Sequence, residues 1–301
     1  MTAADGTESS SLLTRAWRFL HKPRKEKARS FYARWVRMFP KIPLPVRLPF
    51  GGWWLARNDF ISSTIIYGGF EEGERIFVER LLRPGMVVLD IGANQGFYSV
   101  LASKLVGRSG RVFSFEPSPR ERKALLLHMR LNLCGNVSVQ SLALGDAETT
   151  SDLHVVEDTH TGLNSLRPPV TTSQTFVVRV RVTTLDAWLR IHEIPHIDFM
   201  KMDVEGGELA VLRGASELLD RVPRPIILAE VQDTRTEPWG YQAKEIIEFL
   251  RARNFNWFKI SDDGLLVQLD RSIELFDGNF VAVPEDRMRD IAESVKTESH
   301  L

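Results

Sequence analysis

One cysteine, Cys134, stands in a chain of 301 residues, so neither an intrachain disulfide framework nor a cysteine-rich zinc site is open to it. That fits a reducing compartment. No run approaches the eighteen or so apolar residues of a membrane span, and the N-terminus lacks the uninterrupted apolar stretch of a secretory signal. The expected location is cytoplasmic. Also missing is the G-x-G-x-x-G turn with which a dinucleotide fold brings backbone against a pyrophosphate. Net charge is absent too, since 39 basic residues balance 39 acidic ones. The content of 43% hydrophobic and 26% charged residues is that of a soluble globular chain with a sizeable core.

The neutral total conceals an asymmetry. Between Arg15 and Arg47 the basic residues are Arg15, Arg18, Lys22, Arg24, Lys25, Lys27, Arg29, Arg34, Arg37, Lys41 and Arg47, against one acid, Glu26. The arm therefore carries about +10 and the rest of the chain about −10. So acidic a main body is a poor match for phosphate backbones, and no nucleic-acid partner is expected. Trp17, Phe19, Phe31, Tyr32, Trp35, Val36 and Phe39 interleave with the arm's charges. Such a segment packs as a helix on its own domain, stays a solvated tail, or lies peripherally on an anionic inner-membrane surface.

Residues 1–12 read as disordered, and Pro40, Pro43, Pro45 and Pro49 set a boundary near residue 50. The expected parts are a basic arm to residue 50, a main domain over 51–285 and a tail over 286–301. An amphipathic helix is expected from Phe70 to Leu82, stopped by Pro84-Gly85. Beyond Met86, strand signals at 86–91, 111–116, 137–142, 197–203, 226–231, 256–260 and 279–283 alternate with helix signals at 95–106, 118–133, 207–220 and 241–253. This rhythm predicts an α/β fold with a Rossmann-like, doubly wound, mostly parallel seven-stranded sheet whose last two strands suit an antiparallel hairpin. Residues 152–157 and 176–182 predict an inserted β-hairpin, with a long polar loop between its strands, hanging over the strand ends.

What is present in place of a dinucleotide turn is VVLDIGANQG, Val87 to Gly96, followed by Phe115-Glu116-Pro117. An apolar strand ends in Asp90, a turn with Gly92, Asn94 and Gly96 follows, and Glu116 closes a second strand. A carboxylate repels a diphosphate but suits the amino and sulfonium charges of S-adenosylmethionine (SAM), and Glu116 suits a pair of ribose hydroxyls. Read one at a time, Asp90 is also a helix cap and Glu116 a surface acid. Together they favour SAM over a nicotinamide cofactor.

With these residues the chain resembles the FkbM family of SAM-dependent methyltransferases. The resemblance rests on DIGANQGFYS at 90–99, FSFEPSP at 113–119, VRVTTLDAWL at 180–189 and DFMKMDVEGGELAVLRGA at 198–215, and spans about residues 58 to 283. It implies methyl transfer to oxygen, a hydroxyl or carboxyl of a sugar, glycan or secondary metabolite. It further implies that Asp90, Gly92, Asn94 and Gly96 line the methionine end and that Glu116 holds the ribose. Gln95 stands where the family often has a hydrophobic residue and carries no weight in this reading.

Methyl transfer to an alcohol needs alignment and a proton acceptor. Lys201, Asp203 and Glu205 sit at the end of the fourth strand and in the turn after it, and alternation puts them on one side if the strand runs that far. Asp203 is the first candidate for base or acceptor-orienting group. Glu205 is second, with capping of the next helix as its other reading, and Lys201 reads as an ion pair fixing Asp203 ahead of a catalytic lysine. Mixed charges there are expected to keep the carboxylates ionised. Glu230, at the end of the fifth strand, faces Asp203 in a reading with Mg²⁺, for which no third ligand is evident. His160 in the inserted loop reads as an exposed histidine ahead of a base brought over the acceptor by a lid, Asn164 and Ser165 there are candidate acceptor contacts, and Trp239 and Tyr241 are a candidate sugar-stacking wall or plain core. The competing functions are a nicotinamide oxidoreductase and a SAM-binding scaffold without catalysis.

Overall fold

The central strands are near-continuous apolar runs, which buries both faces of a sheet. The computed structural model describes residues 24–157 and 162–294. It begins with α1 (Arg24–Met38), β1 (Leu44–Arg47), β2 (Trp53–Ala56), α2 (Phe60–Tyr67) and α3 (Glu72–Leu81). There follow β3 (Val87–Ile91), α4 (Phe97–Val106), β4 (Arg111–Phe115), α5 (Pro119–Leu131), β5 (Val137–Gln140), β6 (Ala143–Leu144), β7 (Thr149–Val156) and β8 (Thr175–Thr183). The remainder is α6 (Leu185–Ile191), β9 (Phe199–Met202), α7 (Glu208–Arg213), α8 (Ser216–Asp220), β10 (Ile226–Gln232), α9 (Asp233–Thr236), α10 (Lys244–Arg251), β11 (Phe255–Ile260), β12 (Leu266–Gln268), β13 (Asp277–Pro284) and a 3₁₀ segment, Glu285–Ser294.

The main sheet has the order β12-β11-β13-β10-β9-β3-β4-β5. Strands β5, β4, β3, β9 and β10 are parallel to their neighbours, while β13 runs antiparallel between β10 and β11. Val88, Val112, Leu228 and Val281 point to one face and pack with Phe77, Leu101 and Val106. Leu89, Phe113, Met200 and Ile227 point to the other, with Trp188, Leu212 and Ile247. The sheet is thus doubly wound, and its strand β3 is buried throughout as such a sheet requires.

Three expectations need correction. The sheet has eight strands rather than seven, because Gly264, at φ +73°, reverses the chain and lets the three residues of β12 pair with β11. A strand that short leaves no periodicity to read. The helix expected over 207–220 is two helices, broken where Gly214 lies against the carbonyl of Gly145 too closely for any Cβ. Finally, residue 50 falls in the turn between β1 and β2, and Tyr32, Leu48 and Trp54 share one core with Phe77 and Leu101. From Arg24 onward the arm is therefore built into the domain. The C-terminal boundary also moves, since Ile291 is buried and Arg287 donates to the carbonyls of Asp198 and Arg224. Residues 1–12, Trp17, Phe19 and His160 lie outside the described residues.

The insertion is a second, three-stranded sheet. Strands β7 and β8 pair antiparallel from Thr149↔Val182 to Val156↔Thr175, and β6 joins β8 in parallel. Leu153, Val155, Val180 and Val182 give it a small core of its own.

His128 ties the N-terminal hairpin to the turn after β3. Its Nε2 accepts the Leu55 backbone N–H (3.0 Å), so its Nδ1 carries the proton and donates to the Gln95 carbonyl (2.7 Å). The ring also stacks on Trp54 at 4.0 Å. Burial pushes its pKa down to about 4. A histidine lowered on folding stabilises fully above its unfolded pKa and loses that contribution as pH falls toward the folded value. Between pH 7 and pH 4.5, urea midpoints of the wild type should fall more than those of His128→Asn, by a difference worth about 2–3 kcal/mol. Equal pH slopes in the two proteins would remove this role.

Candidate active site

The parallel strands β3, β4, β9 and β10 end around one cavity of about 480 Å³, within the range of small-molecule sites. Gly92, directly after β3, adopts φ +79°, and a Cβ there would lie 1.7 Å from the carbonyl oxygen of Asp203. No other residue type fits. The Gly92 and Ala93 amides both donate to the Phe115 carbonyl at 3.0 Å, and Asn94, at φ +49°, directs its own amide to Glu116 Oε2 at 2.8 Å. Gly96 then starts α4, whose N-terminus opens at the cavity.

Glu116 is buried, and its Oε1 accepts the Ser118 amide at 2.8 Å. Burial, followed by the Glu121 charge, pushes its pKa up to about 8, against the lowering effect of the two amides. Each carboxylate oxygen retains a lone pair beyond its backbone donor, which is what a vicinal diol needs. Asp90 is buried one strand away, with Ser99 Oγ donating to it at 2.5 Å, and burial raises it to about 6. The sequence-predicted residues Asp90, Gly92, Asn94, Gly96 and Glu116 thus line one cavity.

At its other end lies an acid cluster around one cation. Lys201 is buried in β9, in register with Asp90 on β3, with its Nζ 3.4 Å from Asp203 Oδ2 and 3.2 Å from Asn279 Oδ1. Burial alone would lower its pKa, but the carboxylates of Asp203, Glu71, Glu230 and Asp90 outweigh it and raise the ammonium further. Strand β9 ends at Met202, yet Asp203 and Glu205 remain together because the next turn folds back. Carboxylate oxygens of Asp203, Glu205 and Glu230 all lie within 4.8 Å of one another. Burial, then the Asp203 charge, raises both Glu205 and Glu230 well above the usual carboxylate range. The expectation that mixed charge keeps the carboxylates beside Lys201 ionised therefore fails for Glu205, because desolvation and the Asp203 charge exceed the attraction of Arg235 and Lys201.

The turn itself is clamped. Glu205 and Gly206 both have positive φ, and a Cβ on Gly206 would meet the Arg235 carbonyl at 2.0 Å. Glu205 does not cap the following helix: it turns to the Arg235 guanidinium at 2.9 Å, and Glu208 Oε1 accepts the Val204 and Gly206 amides instead. Tyr241 donates to the Gly206 carbonyl, and Trp239 Nε1 to that of Glu205. Tyr241 is therefore a brace for the turn, while Trp239 lines the cavity and packs against Gly207 and the Arg167 guanidinium. Ser165, from the inserted loop, also donates to the Glu205 carbonyl at 2.8 Å, while Asn164 Oδ1 accepts the Val156 amide and lines the cavity. With Leu153, Leu163 and Leu166 the insertion forms a wall of the site.

Sequence reasoning missed Glu71, Tyr98 and Asn279. Tyr98 donates to Glu71 Oε2, its ring lies 5.4 Å from Lys201 Nζ, and Asn279 links Lys201 to Glu74. Glu71, with φ +44°, starts α3 in a left-handed conformation. Only the run FEEG before that helix hinted at it. Gln95, set aside on sequence, is buried and donates to Asp59, the N-cap of α2.

Comparison with known proteins bears on this geometry. Residues 90–256, more than half of the chain, match the family model of the methyltransferase FkbM domain. The chain is similar to the AMB antimetabolite synthetase AmbE of Pseudomonas aeruginosa, 26% identical over 238 residues, covering 66% of this chain and spanning only 11% of that protein. Among solved structures it is similar to methyltransferase FkbM from Methylobacillus flagellatus (16% identity, 74% of this chain and 52% of that chain, TM-score 0.43). Another is an O-methyltransferase from Bacillus cereus in complex with SAH (12% identity, 92% and 99%, TM-score 0.43). With the matched segment running from Asp90 through the Lys201–Glu208 turn and on to β11, the chain belongs to the FkbM family of methyltransferases.

Proposed function

We propose that this methyltransferase uses SAM to methylate a hydroxyl, or a carboxyl, of a small acceptor such as a sugar, glycan or secondary metabolite. The observation that carries this reading is the meeting, in one cavity, of a diol-binding acid over a glycine turn and a proton-accepting acid beside a buried ammonium. Asp90, Glu116 and the turn through Gly92, Asn94 and Gly96 fit SAM, since the turn admits no side chain at Gly92 and Glu116 keeps lone pairs free. When bound, SAM supplies a methyl group on a sulfonium for in-line displacement.

Asp203, 30% exposed at its side chain, is the carboxylate placed to receive the acceptor's proton. Lys201 stays an ammonium in this surrounding and so acts as a positioning cation rather than a base. Membership in the family sets aside the nicotinamide reading. The non-catalytic scaffold is separated by assay.

Calorimetric titration should find SAM bound more weakly by about 1–3 kcal/mol in Asp90→Ala and in Glu116→Ala, the scale of a charge-assisted hydrogen bond. Unchanged affinity in both removes the site. Asp203→Asn should bind SAM as the wild type does but turn over about 10²–10⁴-fold more slowly with labelled SAM and a glycan extract. Normal turnover excludes Asp203 as the base, and none in the wild type with any acceptor class favours the scaffold.

One observation supports a second reading, in which Mg²⁺ joins the cluster: Glu230 Oε2 is buried without a hydrogen-bond partner, beside Asp203 and Glu205. Against it, Lys201 and Arg235 already neutralise two of the three acids. Chelator-treated enzyme should keep its activity, and a loss restored by Mg²⁺ would reassign the cluster.

A further inference from the structure

Helix α1 has two unlike faces. On the inner face Tyr32 is buried, donates to the Arg57 carbonyl and meets Tyr67 edge-on at 6.3 Å, while Val36 packs on the same core. Arg29 adds a bond to the Tyr67 carbonyl. The helix is therefore held in a fixed rotation on α2. That rotation turns Phe31, Arg34 and Met38 outward at the three- and four-residue spacing of one helical stripe, with Trp35 half-buried beside them. Phe31, Trp35 and Phe39 form an aromatic row, with ring centroids 5.9 Å and 5.0 Å apart. Phe31 is 50% exposed, Met38 60% and Ile42 55%.

Charge accompanies this row. Arg34, Arg37 and Lys41, on the same short stretch of chain, are all exposed, and α1 as a whole carries six basic residues against one acid. The remaining chain is acidic by a similar amount, so the positive field is concentrated on one side. We propose that the outer face of α1, continued by Phe39 and Ile42, docks on an anionic lipid bilayer, with its aromatic and aliphatic side chains at headgroup depth and its basic residues against lipid phosphates. Charge complementarity selects this occupant over a neutral one. The aliphatic Met38 and Ile42 favour lipid over a stacked nucleic acid, which would make no use of them.

The placement matters for the site. Phe60, at the start of α2, is exposed and also lines the cavity, and α2 is the helix on which α1 lies. An eight-residue helix is about 12 Å long, so the bound arm sets the cavity mouth near the membrane plane. Docking does not rest on the methyl-transfer reading, because it needs neither SAM nor turnover.

The full chain should cosediment with vesicles of phosphatidylcholine and phosphatidylglycerol, not with phosphatidylcholine alone, and should be released by high salt. Arg34→Glu with Arg37→Glu, and separately Phe31→Ser with Met38→Ser, should each lower the partition at least about tenfold. Unchanged SAM affinity and melting temperature in both variants show that the fold is intact. Failure of the wild type to sediment with anionic vesicles overturns the proposal. So do variants that sediment like the wild type, since both keep residues 1–23 and binding would then belong to that segment. Self-association, or retention of a single-stranded oligonucleotide, that is lost in these variants while vesicle binding is absent, gives the face to another partner.

Discussion

The ammonium of Lys201 lies among acids that would otherwise repel one another. Asp90 on β3, Asp203 after β9, Glu230 on β10 and Glu71 before α3 come from four separate parts of the chain, and all four raise the charged state of this lysine. Removing one partner from a buried charge pair costs about 3–5 kcal/mol, because the other charge is left without compensation. The strand ends can therefore converge on a cavity rich in carboxylates only while this cation is present. Its own burial is in turn made possible by the sheet, since β9 is flanked by β3 and β10 and cannot expose it.

Around that cation, backbone approaches closer than any side chain allows. Gly92 rests on the Asp203 carbonyl and Gly206 on the Arg235 carbonyl, so the turn after β3, the turn after β9 and the segment after β10 touch directly. Trp239, Tyr241 and Ser165 then bind the carbonyls of Glu205 and Gly206. One of these comes from the inserted sheet, which couples that wall of the cavity to the acid cluster. Side chains that look like candidates for contacting an acceptor are spent on holding the turn.

The N-terminal helix follows a different logic. Helix α1 is joined to the domain through a narrow set of contacts at Tyr32, Arg29 and Val36, which leaves its aromatic stripe in solvent. A soluble helix usually buries its large apolar residues, whereas this one buries a tyrosine and presents a phenylalanine, a methionine and flanking arginines.

Much of the architecture was legible because it depends on local chemistry. Short apolar runs along Val87–Ile91, Phe199–Met202 and Ile226–Gln232 mark strands buried on both faces, the glycines of GANQG mark a turn needing positive φ, and Asp90, Glu116, Lys201 and Asp203 stand where strands end. Other elements were hidden for equally physical reasons. Strand β12 is too short for periodicity, and the role of Gly214 lies in its contact with Gly145, 69 residues away in the chain. The proline-rich stretch at 40–49 looks like a linker until Leu48 and Trp54 are seen to share the domain core. By itself the sequence determined the doubly wound sheet and the acids at its edge, since short apolar runs and glycine conformation are set locally along the chain. Only the tertiary structure decided which acid pairs with which base, that Glu205 turns to Arg235 while Glu208 caps the turn, and which face of α1 looks outward. Those outcomes depend on groups far apart in the chain competing for the same partners in a space from which water has been removed.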